Sequence, residues 1–342
     1  MSNVPFEFGQ VINAAHVPGA AAAAGHGPCT LATWTAGAAD TTPGHARAMT
    51  PGTIFDLASL TKVVATTTTV LSLVSEDQVG LDDAAGRYLP RFAHPAVTVR
   101  QLLTHTSGLP GSRKFYQWCA SREELLDDLY ATPLEAPPFT RVVYSDLGFM
   151  LLGELAAAVA GEPLDAAVRR LVTEPLGMTR TRYNPTYPLN QYAATERRED
   201  GTPWTGVVHD ENARLMGGVA GHAGLFSTAA DLAVFAGWWT SGDDGPVSAG
   251  LRREAERPQT AGLDGDRGLG WTRQGDRFDI LGGTWPPSAV SHTGFTGTSL
   301  ALDSPSGVWL VLLTNAVHFG RDATAVKALR RDLHAAVASW LL

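Results

Sequence analysis

The stretch FDLASLTK, residues 55–62, lies in a segment that is apolar at near-helical spacing from Thr53 to Val74. Within it, a serine precedes a lysine by three positions. Positions i and i+3 share one face of a helix, so the Lys62 amine is expected beside the Ser59 hydroxyl. Serine is a weak nucleophile that needs a neighbouring base. The pattern predicts such a pair at a helix start, although S-x-x-K alone also fits a helix cap with a solvated lysine.

Two later triplets extend this pattern. Tyr144-Ser145-Asp146 lies just before an apolar helical segment that starts at Leu147, and His292-Thr293-Gly294 lies directly before short strand-like runs. Serine enzymes with S-x-x-K also carry, in this order, a middle polar triplet and a Lys-Thr-Gly strand. Because chance agreement of all three is improbable, we predict that the Ser59 hydroxyl, the lysine amine and the tyrosine phenol meet in one cleft.

Together with FDLASLTK, the stretches LLTHTSGLP (residues 102–110) and GHAGLFST (residues 221–228) resemble the class C β-lactamase-like family, a penicillin-binding-protein-like group of serine hydrolases. That family also holds D-alanyl-D-alanine carboxypeptidases, D-aminopeptidases, family VIII-type esterases and transacylases. The resemblance runs from roughly Pro18 to Leu313. It implies the β-lactamase/transpeptidase-like fold and an acyl-enzyme mechanism.

The resemblance also implies roles for single residues. Ser59 would be acylated, and Lys62 with Tyr144 would shuttle the proton, with the formal base left open between them. The oxyanion hole would consist of the backbone N–H groups of Ser59 and Phe295. The His292-Thr293-Gly294 strand would bind the substrate. Release of the acyl group to water makes a hydrolase, whereas release to a bound amine or alcohol makes a transferase.

Two positions depart from the family pattern. Asp146 stands where the family most often has asparagine, and a carboxylate only accepts hydrogen bonds. It could pair with Lys62, accept from a substrate N–H, or cap the helix that follows. His292 stands where penicillin-binding enzymes carry lysine, and a histidine is mostly neutral at pH 7. Both departures disfavour efficient β-lactamase activity and favour a neutral or differently charged ester or amide.

Other histidines receive weaker assignments. His105 is expected to be structural, in a turn away from the nucleophile. His222 is a candidate for substrate contact. The run His209-Asp210-Glu211-Asn212 contains potential metal ligands, but the spacing of its histidine from His222 fits no metal motif. A loop lining the cleft is the preferred interpretation, and we predict no metal and no cofactor.

The remaining pattern predicts an α+β fold: an antiparallel sheet flanked by helices, with an inserted helical subdomain. Residues 1–78 and 222–342 are expected to form the sheet domain and residues 79–221 the mainly helical subdomain, with the active site between them. The predicted elements are a hairpin of Pro18–Gly25 with Thr30–Gly37, strands at Gly268–Trp271, Thr298–Leu302 and Val308–Thr314, and a last helix at about Ala323–Leu341.

Composition narrows the partners and the compartment. The 342 residues are 44% hydrophobic and carry a net charge of −8, so no nucleic-acid partner is expected. Met1–Phe8 lacks a basic segment followed by an apolar one, and Ala20–Ala24 is too short to span a bilayer. Cys29 and Cys119 are expected to be free thiols. We therefore expect a cytoplasmic protein without a membrane partner.

The leading hypothesis is a serine hydrolase or acyltransferase that acts on a small ester or amide through a Ser59 acyl-enzyme, with an esterase ranked first. One alternative is an amide-forming transacylase of secondary metabolism. Another is a D-aminopeptidase, a D-Ala-D-Ala carboxypeptidase or a weak β-lactamase. A non-catalytic member that binds ligands in the cleft is a further alternative, and zinc hydrolysis is the competitor from a different chemistry.

Overall fold

The computed structural model describes residues 10–11 and 14–342, so the N-terminal stretch Met1–Phe8 lies outside the described residues. In the described part, the main sheet has seven antiparallel strands in the order β3-β2-β1-β10-β9-β8-β7. A three-stranded sheet has the order β4-β6-β5. The strands are β1 Gly19–His26, β2 Cys29–Asp40, β3 Arg47–Ala48, β4 Phe55–Asp56, β5 Arg182–Tyr183, β6 Leu225–Ser227, β7 Thr272–Arg273, β8 Val290–Thr293, β9 Ser299–Asp303 and β10 Val308–Thr314.

Helices cover both faces of the main sheet and fill the middle of the chain. The first, α1, runs Ala58–Ser75 as a 3₁₀ turn at Ala58–Leu60, a π-helical stretch at Lys62–Thr67 and an α-helix at Thr68–Ser75. The others are α2 Val99–Leu103, α3 Arg122–Ala131, α4 Asp146–Ala160, α5 Leu164–Val168, α6 Glu211–Leu215, α7 Ala229–Thr240, α8 Ala249–Glu256 and α9 Thr324–Leu341.

The alanine run in β1 allows the strand to be covered on both faces of the sheet. Successive side chains of a strand point to opposite faces. Ala21 and Ala23 accordingly join the large core that includes α7, whereas Ala20, Ala22 and Ala24 join the core beneath α9. A methyl group on each face takes up little space, so the strand can be buried between the core that includes α7 and the core beneath α9.

The predicted α+β class is confirmed, because strands from both ends of the chain form the antiparallel sheet and helical segments lie between them. The predicted hairpin 18–37, the strands predicted at 298–302 and 308–314, and the last helix are also present. The strand predicted at Gly268–Trp271 is wrong: Gly270 has φ +78, which breaks extended backbone, and β7 begins at Thr272. The domain boundaries remain predictions, as does cytoplasmic residence.

The segment Ala58–Ser75 is long and apolar enough to cross a membrane, but 83% of it is buried inside the fold. Core helices of globular proteins meet the same length and composition criteria. Here the apolar residues of α1, the helix that carries Ser59, pack into the large core. Cys29 and Cys119 are both free thiols.

Candidate active site

Lys62 lies at the centre of the site, and its side chain is fully buried. Its Nζ donates to Ser59 Oγ at 2.9 Å and to the backbone carbonyl of His222 at 3.0 Å. The same nitrogen lies 2.7 Å from the Asp146 carboxylate. A lysine ammonium has three donors, and these three acceptors can use all of them. The structure therefore places the serine hydroxyl and the lysine amine of S-x-x-K in contact.

Asp146 is the first residue of α4, but it does not cap that helix. The cap is Ser145, whose hydroxyl oxygen accepts from the Gly148 N–H at 3.2 Å. The Asp146 carboxylate is thereby left to pair with Lys62, and its side chain is 26% exposed. The sequence leaves open whether Asp146 caps the helix or pairs with Lys62. The structure gives the cap to Ser145 and shows the ion pair between Asp146 and Lys62.

Opposing effects act on the pKa of Lys62. Burial alone would lower it, because an ammonium loses its hydration in the interior. The attraction of the Asp146 carboxylate and then of Tyr144, together with hydrogen bonding to both, outweighs burial and raises the pKa of Lys62 above its ordinary value. Lys62 is therefore charged at neutral pH. It donates a hydrogen bond to Ser59 Oγ and is poorly suited to accept a proton.

Tyr144 is held in place by aromatic neighbours. Its ring centroid lies 4.7 Å from that of His105 and 5.2 Å from that of Phe278. Lys62 Nζ lies 5.0 Å from the Tyr144 ring centroid. His105 Nδ1 accepts from the Ser145 N–H at 3.0 Å, which fixes the backbone next to the tyrosine. The structural role predicted for His105 is confirmed, whereas its expected position away from the reacting groups is wrong, because its ring packs against the Tyr144 ring.

His292 lies on β8 in the wall of the site and is buried. Burial lowers the pKa of His292 well below its ordinary value, and the charges of Lys62 and Arg267 lower it further. The imidazole is therefore neutral at pH 7. Its Nδ1 donates to the Thr293 carbonyl at 2.9 Å, so Nε2 is the unprotonated nitrogen. This strand consequently lacks the fixed positive charge that a lysine would supply.

Gly294 is the point where the third motif meets the nucleophile segment. A Cβ atom on Gly294 would lie 2.4 Å from the carbonyl oxygen of Leu57 and 2.1 Å from Thr298 Oγ1. Only glycine fits such a close approach of two backbones. The motif therefore needs its glycine for contact with the residues just before Ser59.

Two threonine hydroxyls join the same segments. Thr296 Oγ1 donates to the Asp56 carbonyl at 2.8 Å, and Thr298 Oγ1 donates to the Leu57 carbonyl at 3.0 Å. The turn that carries the Phe295 N–H is thus tied to the backbone that leads into the nucleophile. This arrangement gives the two predicted oxyanion donors a fixed relation to each other.

A cavity of about 270 Å³ opens over Ser59. Its walls come from all three motifs and from the C-terminal part of the chain. Sequence reasoning missed several of these residues, because they join the site only through tertiary contacts. The lining includes Ser59, Tyr144, His292, Thr293, Gly294 and Phe295 from the motifs, and Phe278, Arg321, Lys327 and Arg330 from elsewhere.

His222 and His209 each bind a carboxylate. His222 Nε2 lies 2.9 Å from Asp210 Oδ1, and its ring is buried. His209 Nε2 lies 3.0 Å from Glu196 Oε2. The substrate contact of His222 stays a prediction; in the structure its ring pairs with Asp210 and its backbone carbonyl accepts from Lys62. Within the described part of the chain, no group of three His, Cys, Asp or Glu side chains could hold a metal ion.

Comparison with known proteins identifies similar sequences. The β-lactamase family model matches residues 8–335. The chain is 34% identical over 306 residues to a protein of Escherichia coli K12 named "Putative D-alanyl-D-alanine carboxypeptidase", covering 79% of this chain and 70% of that protein. It is 33% identical over 302 residues to an N-acetylmuramyl-L-alanine amidase of Bacillus subtilis 168, covering 78% and 68%.

Solved structures share the fold. EstCE1, a hydrolase with promiscuous acyltransferase activity, has a TM-score of 0.75 at 21% identity and covers 94% of this chain and 96% of its own. Simvastatin synthase from Aspergillus terreus has a TM-score of 0.77 at 20% identity and covers 98% and 95%. At these identities the likeness establishes the β-lactamase/transpeptidase-type architecture and leaves the substrate open.

Proposed function

This chain belongs to the β-lactamase family of serine hydrolases, and from that premise we propose that it is a serine amidohydrolase acting on a small peptide-like amide. The observation that carries the proposal is the contact of Ser59 Oγ with the charged Lys62 ammonium at 2.9 Å, beneath a cavity that Tyr144 also lines. Two relatives at 34% and 33% identity carry the names of amide-cleaving enzymes. They favour an amide over the ester that sequence patterns rank first.

The charge of Lys62 determines the proton route in this proposal. Tyr144 acts as a phenolate, stabilised by the lysine ammonium, and takes the Ser59 proton while Oγ bonds to the amide carbon. The proton passes to the amine nitrogen as the carbon–nitrogen bond breaks. In the second half, Tyr144 takes a proton from water, hydroxide attacks the acyl carbon, and the proton returns to Ser59. Lys62 keeps its own proton throughout.

The cavity suits a substrate with an apolar part and a carboxylate. Phe278 and Phe295 line it and are 41% and 55% exposed, which offers aromatic surface at the mouth. Lys327, on the exposed side of α9, also lines it. This ammonium supplies positive charge that the neutral His292 does not. We accordingly extend the proposal to amides with a free carboxylate, in contrast to the neutral substrates that the third motif favours on its own.

The proposed function is tested by intact-protein mass spectrometry with a panel of substrates. The panel contains a D-alanyl-D-alanine peptide, its C-terminal amide, N-acetylmuramyl-L-alanine and a p-nitrophenyl ester, each with and without an added amine. When the substrate is an amide with a free carboxylate, we expect a transient acyl adduct on the protein and release of the amine. Ser59→Ala should show neither product.

The control is Ser72→Ala, which removes a buried hydroxyl from the same helix α1 without touching the cavity. It should react as the unaltered protein does. Acylation by the p-nitrophenyl ester without acylation by any of the amides would contradict the proposal that the protein is an amidohydrolase. Accumulation of a new amide in the presence of the added amine would show a transacylase, and turnover that survives in Ser59→Ala would remove the acyl-enzyme mechanism altogether.

Asp146→Asn is expected to move the alkaline limb of kcat/KM to lower pH by about one to three pH units. The carboxylate is the main influence that raises the pKa of Lys62, so its loss lets burial lower that pKa. The ammonium then deprotonates at lower pH, and activity that depends on it falls earlier. The amide of asparagine can also donate to a β-lactam carbonyl, so acylation by a penicillin should rise.

The measurement is kcat/KM from pH 6 to pH 11, with Asp82→Asn as the control. Asp82 forms an ion pair with Arg100 outside the cavity, and its carboxylate is exposed. That control should leave the profile in place. An alkaline limb at the same pH in Asp146→Asn, combined with unchanged penicillin acylation, would refute the assigned role of the Asp146–Lys62 pair.

A further inference from the structure

Arg330 is a buried guanidinium in the wall of the cavity, and it has no carboxylate partner among residues 10–11 and 14–342. Its Nη2 donates to the Gly294 carbonyl at 2.8 Å and to the Thr298 carbonyl at 2.7 Å. Burial lowers the pKa of Arg330 to about 10, so it remains charged at pH 7. Burying an unpaired charge is costly, which calls for a reason specific to this position.

The reason lies in the peptide group to which Arg330 binds. The Gly294 carbonyl and the Phe295 N–H belong to one peptide unit, and that N–H is a predicted oxyanion donor. A charged donor on the carbonyl draws electron density from the nitrogen and makes the N–H a stronger donor, because linked hydrogen bonds polarise one another. We infer that Arg330 is a positioning residue that polarises the Gly294–Phe295 peptide and thereby strengthens the oxyanion hole.

The geometry of the turn supports this role. Arg330 holds the carbonyls at both ends of the turn, those of Gly294 and Thr298, while Gly294 N–H donates to the same Thr298 carbonyl at 2.8 Å. From the other side, the Thr298 hydroxyl binds the Leu57 carbonyl at 3.0 Å. The turn is thus fixed between α9 and the segment before Ser59. The guanidinium acts through this backbone and needs no contact with the substrate.

The inference rests on the proposed acyl-enzyme, so the test measures the acyl group itself. Arg330→Gln is expected to lower the acylation rate about tenfold, a fraction of the 10²- to 10³-fold loss for a whole oxyanion donor. KM should change less than threefold. The infrared carbonyl stretch of the acyl-enzyme, formed with the p-nitrophenyl ester and ¹³C-labelled at the acyl carbon, should move to higher wavenumber because the carbonyl is less polarised. Arg330→Lys, which keeps the charge, should restore part of both effects.

The matched control is Arg252→Gln. Arg252 is also buried, and its guanidinium also donates to backbone carbonyls, those of Ser241, Asp243 and Val247. It lies outside the cavity over Ser59 and should leave the carbonyl frequency unchanged even if thermal unfolding shows a similar loss of stability. Should Arg330→Gln fail to fold, replacement of Arg330 by citrulline removes the charge and keeps the shape.

The inference would be overturned if a folded glutamine or citrulline variant of Arg330 had the same carbonyl frequency as the wild type and an acylation rate within twofold of it. A frequency shift of equal size in Arg252→Gln would overturn it as well, since any lost buried arginine would then act alike. The two proposals fail separately. Absence of an acyl adduct on wild-type Ser59 defeats the proposed function, whereas an adduct with an Arg330-independent carbonyl defeats only the role of Arg330.

Discussion

Lys62→Ala is expected to lower the rate of Ser59 acylation by at least about a thousandfold while the protein stays folded. The ammonium contacts the nucleophile at 2.9 Å and lies 5.0 Å from the Tyr144 ring centroid, where its charge would stabilise the phenolate of the proposed mechanism. Its loss removes both contributions together. Stopped-flow acylation with an activated ester and thermal unfolding, measured on the same sample, test the prediction.

Folding should survive because the substitution removes a buried cation whose partner can be hydrated. The Asp146 side chain is 26% exposed, so water can replace the lysine around the carboxylate. Lys114→Ala, at an exposed position away from the cavity, is the control and should acylate normally. An acylation rate for Lys62→Ala within tenfold of the wild type would refute the role assigned to the ammonium.

The ion pair between Lys62 and Asp146 distinguishes the two proton-handling groups. With an uncharged partner such as asparagine, the lysine would lose the strongest influence that raises its pKa. In this chain the carboxylate keeps the lysine protonated, and in the proposed mechanism the phenol is therefore the group that exchanges protons with Ser59. In the proposed mechanism, Asp146 therefore determines which of Lys62 and Tyr144 acts as the base, a question that the sequence leaves open.

Much of the fold follows from local patterns. The hairpin of β1 with β2 and the strands Ser299–Asp303 and Val308–Thr314 depend on residues that are neighbours in sequence, so periodicity and turn residues are sufficient to predict them. The failed strand at Gly268–Trp271 is also instructive. Aromatic and apolar content favoured a strand, but the left-handed backbone at Gly270 decided the local structure.

The site was predictable only where the motifs themselves carry the contacts. Ser59 and Lys62 are three positions apart, and helix geometry is enough to join them. The roles of His105 and Arg330 depend on packing across 40 and 36 residues of sequence, and a single sequence contains no signal for such pairs. His222 shows the reverse case: the segment was recognised, but its carbonyl holds the lysine while its ring binds Asp210.

Tyr144→Phe is expected to reduce acylation of Ser59 by about 10²- to 10⁴-fold, the usual contribution of a general base. The ring contacts with His105 and Phe278, at 4.7 and 5.2 Å between centroids, do not involve the hydroxyl, so the phenylalanine ring should occupy the same place. The loss should therefore appear in kcat with little change in KM. Because Lys62, the side chain that donates to Ser59 Oγ, stays charged, it should not replace the phenol as base, and the residual rate should be nearly independent of pH between 6 and 9.

Tyr130→Phe provides the comparison, since it removes the hydroxyl of a buried tyrosine on α3, away from the cavity. A pH–rate profile and the burst of acylation would be recorded for both variants. Residual activity that rises with pH in Tyr144→Phe would indicate that Lys62 deprotonates and takes over as base. The raised pKa of Lys62 argues against that outcome below pH 9, because the Asp146 carboxylate holds its proton in place. A Tyr144→Phe rate close to wild type would assign the proton transfer to the lysine instead and reverse the proposed roles.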